Sequence, residues 1–100
     1  IVARREVVDA NPDAVDAFLK DYAASVEWVN GNTAEAAQLI AEYGIIEAAP
    51  VAEKALPYCN IVCITGSEMK EKLSGYQVLS DAEPASVGGA LPGEDFYYGA

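Results

Sequence analysis

The sequence predicts a mainly α-helical chain of about four helices with one or two short strands. Three observations carry that expectation. Capping signals at Asn11, Asn32 and Thr65 each precede a run whose apolar residues recur at helical spacing. Breakers fall between those runs, at Gly31, Gly44 and Pro57. One short apolar, β-branched run, residues 60–64, is strand-like and leads straight into the Thr65 cap. A lone strand feeding a helix is ordinary in an α/β protein and unusual in a self-contained helical bundle. The chain also opens at Ile1 without a methionine. Both features make the 100 residues read as a single partial domain, 1–100, belonging to something larger.

Each element has a local reason. Ile1, Val2 and Ala3 look like the end of a strand, and Arg4-Arg5-Glu6 opens a helical turn reaching Asp9 or Ala10. Asn11-Pro12-Asp13 is a helix start: an N-cap, a proline where no N–H is needed, and an acid facing the positive end of the dipole. Val15, Phe18, Leu19, Tyr22, Val26 and Val29 form its apolar stripe, and Asn30-Gly31 stops it. Asn32-Thr33-Ala34-Glu35 reads as a capping box, with Glu35 reaching back toward the Asn32 amide. That helix runs through Leu39, Ile40 and Tyr43 to Gly44, a residue suited to the left-handed C′ position. A third helix spans about 47–56; Pro50 fits only in its first turn, and Pro57 closes it. Beyond the strand, Thr65-Gly66-Ser67-Glu68 is another capping box, opening a helix through Met69, Leu73, Tyr76 and Leu79 to about Ala82. Gly75 inside it costs about 1 kcal/mol relative to alanine. Residues 84–100 form an irregular tail, in which Phe96-Tyr97-Tyr98 is apolar enough to dock on a surface. The segments beginning at Asn11 and Asn32 share a rhythm, but their spacing is too short for a helical-pair repeat of about 34 residues. Two similar caps explain it.

Composition removes several function classes. Sixteen acidic residues oppose six basic ones, for a net charge of −10. Nucleic acid needs a basic footprint, which this chain lacks, and an anionic membrane surface repels it. No apolar run reaches the ~20 residues of a membrane span, and no signal peptide lies within the 100 residues. Without histidine the usual general base and the commonest metal ligand are both missing, so a Ser-His-Asp triad is impossible here. The acids sit at predicted helix starts and solvated faces rather than in a paired arrangement. Gly88-Gly89 lacks the spacing of a nucleotide loop. Cys59 and Cys63 would lie about 13 Å apart on an extended run, beyond the ~7 Å of a disulfide, and read as buried thiols filling a core. With no second cysteine pair, zinc is not expected. Trp28, one position off the main stripe, reads as packing at the core edge, with a binding role as the alternative. The expectation is a non-enzyme with no catalytic residue, no metal and no cofactor.

Four stretches, in this order, resemble a known family: Ile1-Val2-Ala3-Arg4-Arg5-Glu6; Asn11 through Lys20; Trp28 through Ala37; and Leu56 through Glu68. Together they are similar to the C-terminal part of the solute-binding proteins of ABC importers, in the group serving nitrate, sulfonates, taurine and thiamine precursors. Thr33 stands where that group often has proline. The resemblance implies an α/β parent fold of the type II periplasmic-binding-protein kind, two lobes closing on a ligand, with this chain as the C-terminal part of the first lobe. It implies an extracytoplasmic protein, periplasmic or anchored at the cell surface, that captures a small, possibly anionic solute and delivers it to ABC permease subunits. A fragment of such a sheet exposes apolar edges and is a candidate homodimer. Because strand ends face ligand crevices in α/β sheets, Asn60 and Thr65 are the candidate ligand-binding residues. The alternatives are a helical protein-interaction module without a small ligand, and an enzyme of the same fold, such as those making thiamine pyrimidine.

Overall fold

The structure is a computed structural model that describes residues 1–80, 83, 85 and 92–100. Among them the chain is mainly α: α1 spans Arg5–Ala10, α2 Pro12–Gly31, α3 Thr33–Glu42, α4 Ala49–Ala55 and α5 Gly66–Ser80. Short 3-10 turns form at Leu56–Tyr58 and Glu94–Phe96. The fifth helix, relative to the four expected, is the turn at Arg5–Ala10, which closes as a helix in its own right. No strand forms among the described residues. Residues 1–3 and 60–64 have strand-like side chains, but a strand exists only through a ladder partner, and neither finds one there. The chain divides into two compact units, Ile1–Cys63 and Ile64–Ala100. The boundary falls inside the run that the sequence presents as one strand.

Two asparagines articulate the first unit. Asn11 has φ −140° and ψ 52°, and Asn32 has φ −134° and ψ 50°. Neither side chain caps the helix that follows it. Each donates its Nδ2 backwards instead, Asn11 to the Val7 carbonyl at 3.0 Å and Asn32 to the Trp28 carbonyl at 2.9 Å. The backbone carbonyl of each accepts the first helical hydrogen bond of the next helix, from the Val15 N–H at 3.1 Å and the Ala36 N–H at 2.9 Å. One residue thus closes a helix with its side chain and opens the next with its backbone. This corrects the capping box expected at 32–35, because the side chain that would have capped is spent on the preceding helix. It also explains the shared rhythm: the same joint is used twice.

The end of α3 follows its sequence signal closely. Gly44 adopts φ +69°. Its N–H bonds to the Ala41 carbonyl and the Ile45 N–H bonds to the Ile40 carbonyl, both at 3.0 Å, the two bonds of a Schellman motif. Helix α4 starts at Ala49 rather than near 47. A start at 47 would require residue 50 to donate an N–H to the carbonyl of residue 46, and Pro50 has none. Starting later puts Pro50 within the first turn, where the Ala48 carbonyl accepts from Val51 and Ala52 instead.

The core of this unit lies where α3 meets α4. Ala36, Ala37 and Ala52 are buried to 2%, 1% and 1% exposure, with Leu56 beside them and Val29, Ile40 and Ile61 packed around. Alanine at the contact lets the helix backbones approach closely. Val26 is the one buried residue of α2. The rest of its stripe is less covered: Val15 and Leu19 are half-buried, while Phe18 and Tyr22 face solvent with ring centroids 5.8 Å apart.

In the second unit the residues around Glu94–Phe96 dock on α5. Tyr97 is buried, stands edge-on to Phe96 at 5.2 Å, and accepts a hydrogen bond on its hydroxyl from Ser74 Oγ at 3.4 Å. Lys70 forms an ion pair with Glu94. Gly66 has φ +62°, and a Cβ there would meet the Gly99 carbonyl oxygen at 3.2 Å, so both conformation and contact call for glycine. Glu68 pairs with Lys72 at 3.5 Å along the helix. The expected helix end at Ala82 and the Gly88-Gly89 turn lie outside the described residues.

Two glycines separate conformation from packing, since a Cβ at Gly31 or Gly44 would meet nothing within 4 Å. Gly44 is left-handed, so Gly44→Ala is expected to lower stability by about 1 kcal/mol. Gly31 closes α2 without a positive φ, so Gly31→Ala is expected to raise it by about 0.5–1 kcal/mol. Urea denaturation of the two variants should therefore shift the midpoint in opposite directions.

Candidate functional site

The first unit carries an apolar groove of ≈ 130 Å³ built from consecutive segments. The C-terminal end of α2 supplies Trp28 and Val29, α3 supplies Ala36, Leu39 and Ile40, and the turn after it supplies Tyr43 and Ile45. The Asn32 joint is what turns α3 back beside the end of α2. The Schellman motif then sets Ile45 near Ile40, the hydrophobic pairing that commonly accompanies it. The lining carries aromatic and branched side chains that would ordinarily be covered. Tyr43 is 79% and Ile45 72% exposed, and Trp28 and Leu39 are also open to solvent.

The stretch of sequence that forms this surface is acidic. Residues 21–53, which contain the whole groove, hold six carboxylates (Asp21, Glu27, Glu35, Glu42, Glu47 and Glu53) and no lysine or arginine. Glu35 and Glu42 stand four before and three after Leu39 on α3, the spacings that make helix neighbours. Both are exposed.

The segment after α4 is tied to the same helix ends. Asn30 donates its Nδ2 to the Ile61 carbonyl at 2.9 Å, anchoring the 59–63 run to the end of α2. Cys59 is exposed, and its Sγ donates to the Ala55 carbonyl at 3.3 Å; Cys63 is half-buried. The expectation of two buried thiols is corrected at Cys59. The 3-10 turn at Leu56–Tyr58 carries the chain off the end of α4 with Leu56 inward, which leaves Cys59 outside.

Of the two residues expected to touch a ligand, Asn60 lies in the first unit and Thr65 in the second. Both are exposed. Asn60 holds φ +51°, a left-handed conformation that asparagine tolerates better than most residues. Thr65 offers its carbonyl to the Met69 N–H at 3.4 Å.

Among the described residues, no group of three or more His, Cys, Asp or Glu side chains converges to hold a metal ion. Among the described residues, none that is buried is charged. What the first unit presents is an exposed apolar surface, on a stretch of sequence that carries carboxylates and no cation. Sequence reasoning placed Trp28 at the core edge and missed the Asn30–Ile61 tie and the groove. The available signal was Trp28 standing off its own stripe while sharing a short joint with the Leu39–Tyr43 face.

Comparison with protein-family models, with curated proteins and with solved structures finds no match for this chain.

The left-handed backbone gives Asn60 a conformational role that can be measured apart from any ligand. Asn60→Gly is expected to keep stability within about 0.5 kcal/mol, whereas Asn60→Val should cost about 1–2 kcal/mol. Thermal melts followed by circular dichroism would separate the two. Equal losses would mean that the side chain, not φ, matters there.

Proposed function

We propose that this chain is part of an extracytoplasmic solute-binding protein of an ABC importer, one that captures a small solute, anionic in the leading case, and hands it to permease subunits. The observation that carries the reading is the order of four stretches resembling that family, ending in Leu56 through Glu68. Support of a weaker kind comes from the run at 60–64, which has the residues of a strand and no ladder partner among those described. Under this reading the run pairs with sheet elements supplied by the complete gene product. The mechanism is not catalytic: solute binding favours a closed arrangement of two lobes, and the permease recognises that state. Asn60 and Thr65, at the run's two ends, are the proposed ligand contacts from this part of the protein.

The test is a thermal-shift screen of the complete gene product against small solutes, including sulfonates, thiamine precursors and inorganic anions such as nitrate. A true ligand present at about 100 times its Kd should stabilise by about 2.7 kcal/mol. Thr65→Ala should then weaken that ligand about tenfold, consistent with one lost hydrogen bond of about 1.4 kcal/mol. A screen without any stabilising solute would discard the solute-binding reading. It would favour the second one, a helical protein-interaction module, which rests on the exposed groove of Trp28, Leu39, Tyr43 and Ile45.

A further inference from the structure

We infer that the groove between the end of α2 and α3 is a docking site for a cationic amphipathic helix of a partner protein. Size, shape and charge each narrow the occupant. The groove is open and shallow, lined by Trp28, Leu39, Ile40, Tyr43 and Ile45. Such a surface accepts the apolar stripe of a helix rather than enclosing a small molecule. Glu35 and Glu42, both exposed, neighbour the lining residue Leu39 along α3, and the sequence from 21 to 53 carries six carboxylates and no cation. Residues 1–20 and 54–80 each mix both signs nearly evenly, and the net −10 divides between the groove segment, with six carboxylates, and residues 81–100, with four.

That combination selects by sign. A partner helix with lysine or arginine beside its apolar stripe meets Glu35 and Glu42 on either side of Leu39, and its cations can also lie over the faces of Trp28 and Tyr43. A second copy of this chain would bring its own Glu35 and Glu42 to the same place, so self-docking is opposed by like charge. An anionic lipid surface is opposed in the same way. Apolar contact supplies affinity, and the carboxylate rim supplies choice of partner.

Trp28 is the chain's one tryptophan, which makes the site report on itself. The probe is a synthetic helix of about 18 residues with leucines on one face and lysines beside them, about five turns long. Titrated into the intact chain, it should shift Trp28 emission to the blue and saturate at one peptide per chain. The same peptide with glutamate in place of lysine should bind at least about tenfold more weakly. Leu39 and Ile45 are solvent-facing, so Leu39→Ser with Ile45→Ser should keep the helical circular dichroism while weakening the lysine peptide about tenfold or more. Glu35→Gln with Glu42→Gln should weaken it about threefold to tenfold and flatten its salt dependence. Three results would overturn the inference: no change in Trp28 emission, equal binding of the glutamate peptide, or undiminished binding by the serine variant. A blue shift that grows with protein concentration alone would replace it with self-association. None of these depends on a solute, so the outcome is independent of the importer reading.

Discussion

The close approach of α3 to α4 is the constraint on which the first unit depends. Ala36, Ala37 and Ala52 fill that contact and are almost inaccessible to water. Alanine permits the approach and limits what it is worth, because each methyl buried contributes only about 0.8 kcal/mol. Leu56 and the partly covered Val29, Ile40 and Ile61 add the larger share. A core of small side chains is thin, and thinness has a geometric consequence. Helices drawn together over alanine leave their longer side chains at the margins of the contact. Leu39, Tyr43 and Ile45 are not among the residues of that core, and with the end of α2 they line a groove instead of filling an interior.

The asparagine joints work at a different level. A helix–helix corner leaves C-terminal carbonyls and N-terminal amides without intrahelical partners. Asn11 and Asn32 meet part of both needs in one residue, the side chain serving the carbonyl behind and the main chain the amide ahead. The corner then needs no loop. That is why α1, α2 and α3 follow one another with single-residue connections, and why Trp28, itself bonded through its carbonyl at the second joint, stays beside the start of α3. The joint positions the groove; the alanine contact leaves it open.

Much of the fold was legible in the sequence because it is set locally. The starts at Asn11-Pro12 and Asn32, the stop at Gly44 and the limit set by Pro50 all depend on neighbours within one helical turn, and each helix formed accordingly. What was not legible depends on alternatives of nearly equal local merit. An asparagine between two helices has two uses for one side chain, and only the folded corner shows that the backward bond is taken. The run at 60–64 has the composition of a strand, but pairing is a property of partners, not of composition. Cys59 followed the same logic: an apolar setting in sequence, and an outward position once the 3-10 turn set the chain's direction. Of the candidate site, Asn60 carried a sign of its backbone role in being asparagine. The groove carried almost none, since its residues come from two helices and a turn whose packing the stripe pattern does not specify.

An apolar surface in water is ambiguous, because hydrophobic attraction has no direction and little preference among partners. Electrostatics resolves such ambiguity more by exclusion than by attraction, as misplaced like charges raise the free energy of wrong pairings. The first unit combines the two in one stretch of chain. Its exposed Trp28, Leu39, Tyr43 and Ile45 would favour association with many surfaces, and Glu35 and Glu42 beside Leu39 would narrow that set to cationic ones. Placing the acids on the same segment as the apolar lining, rather than elsewhere on an acidic chain, makes the discrimination act at contact distance. There screening by salt at physiological strength, with a Debye length of about 8 Å, removes the least of it.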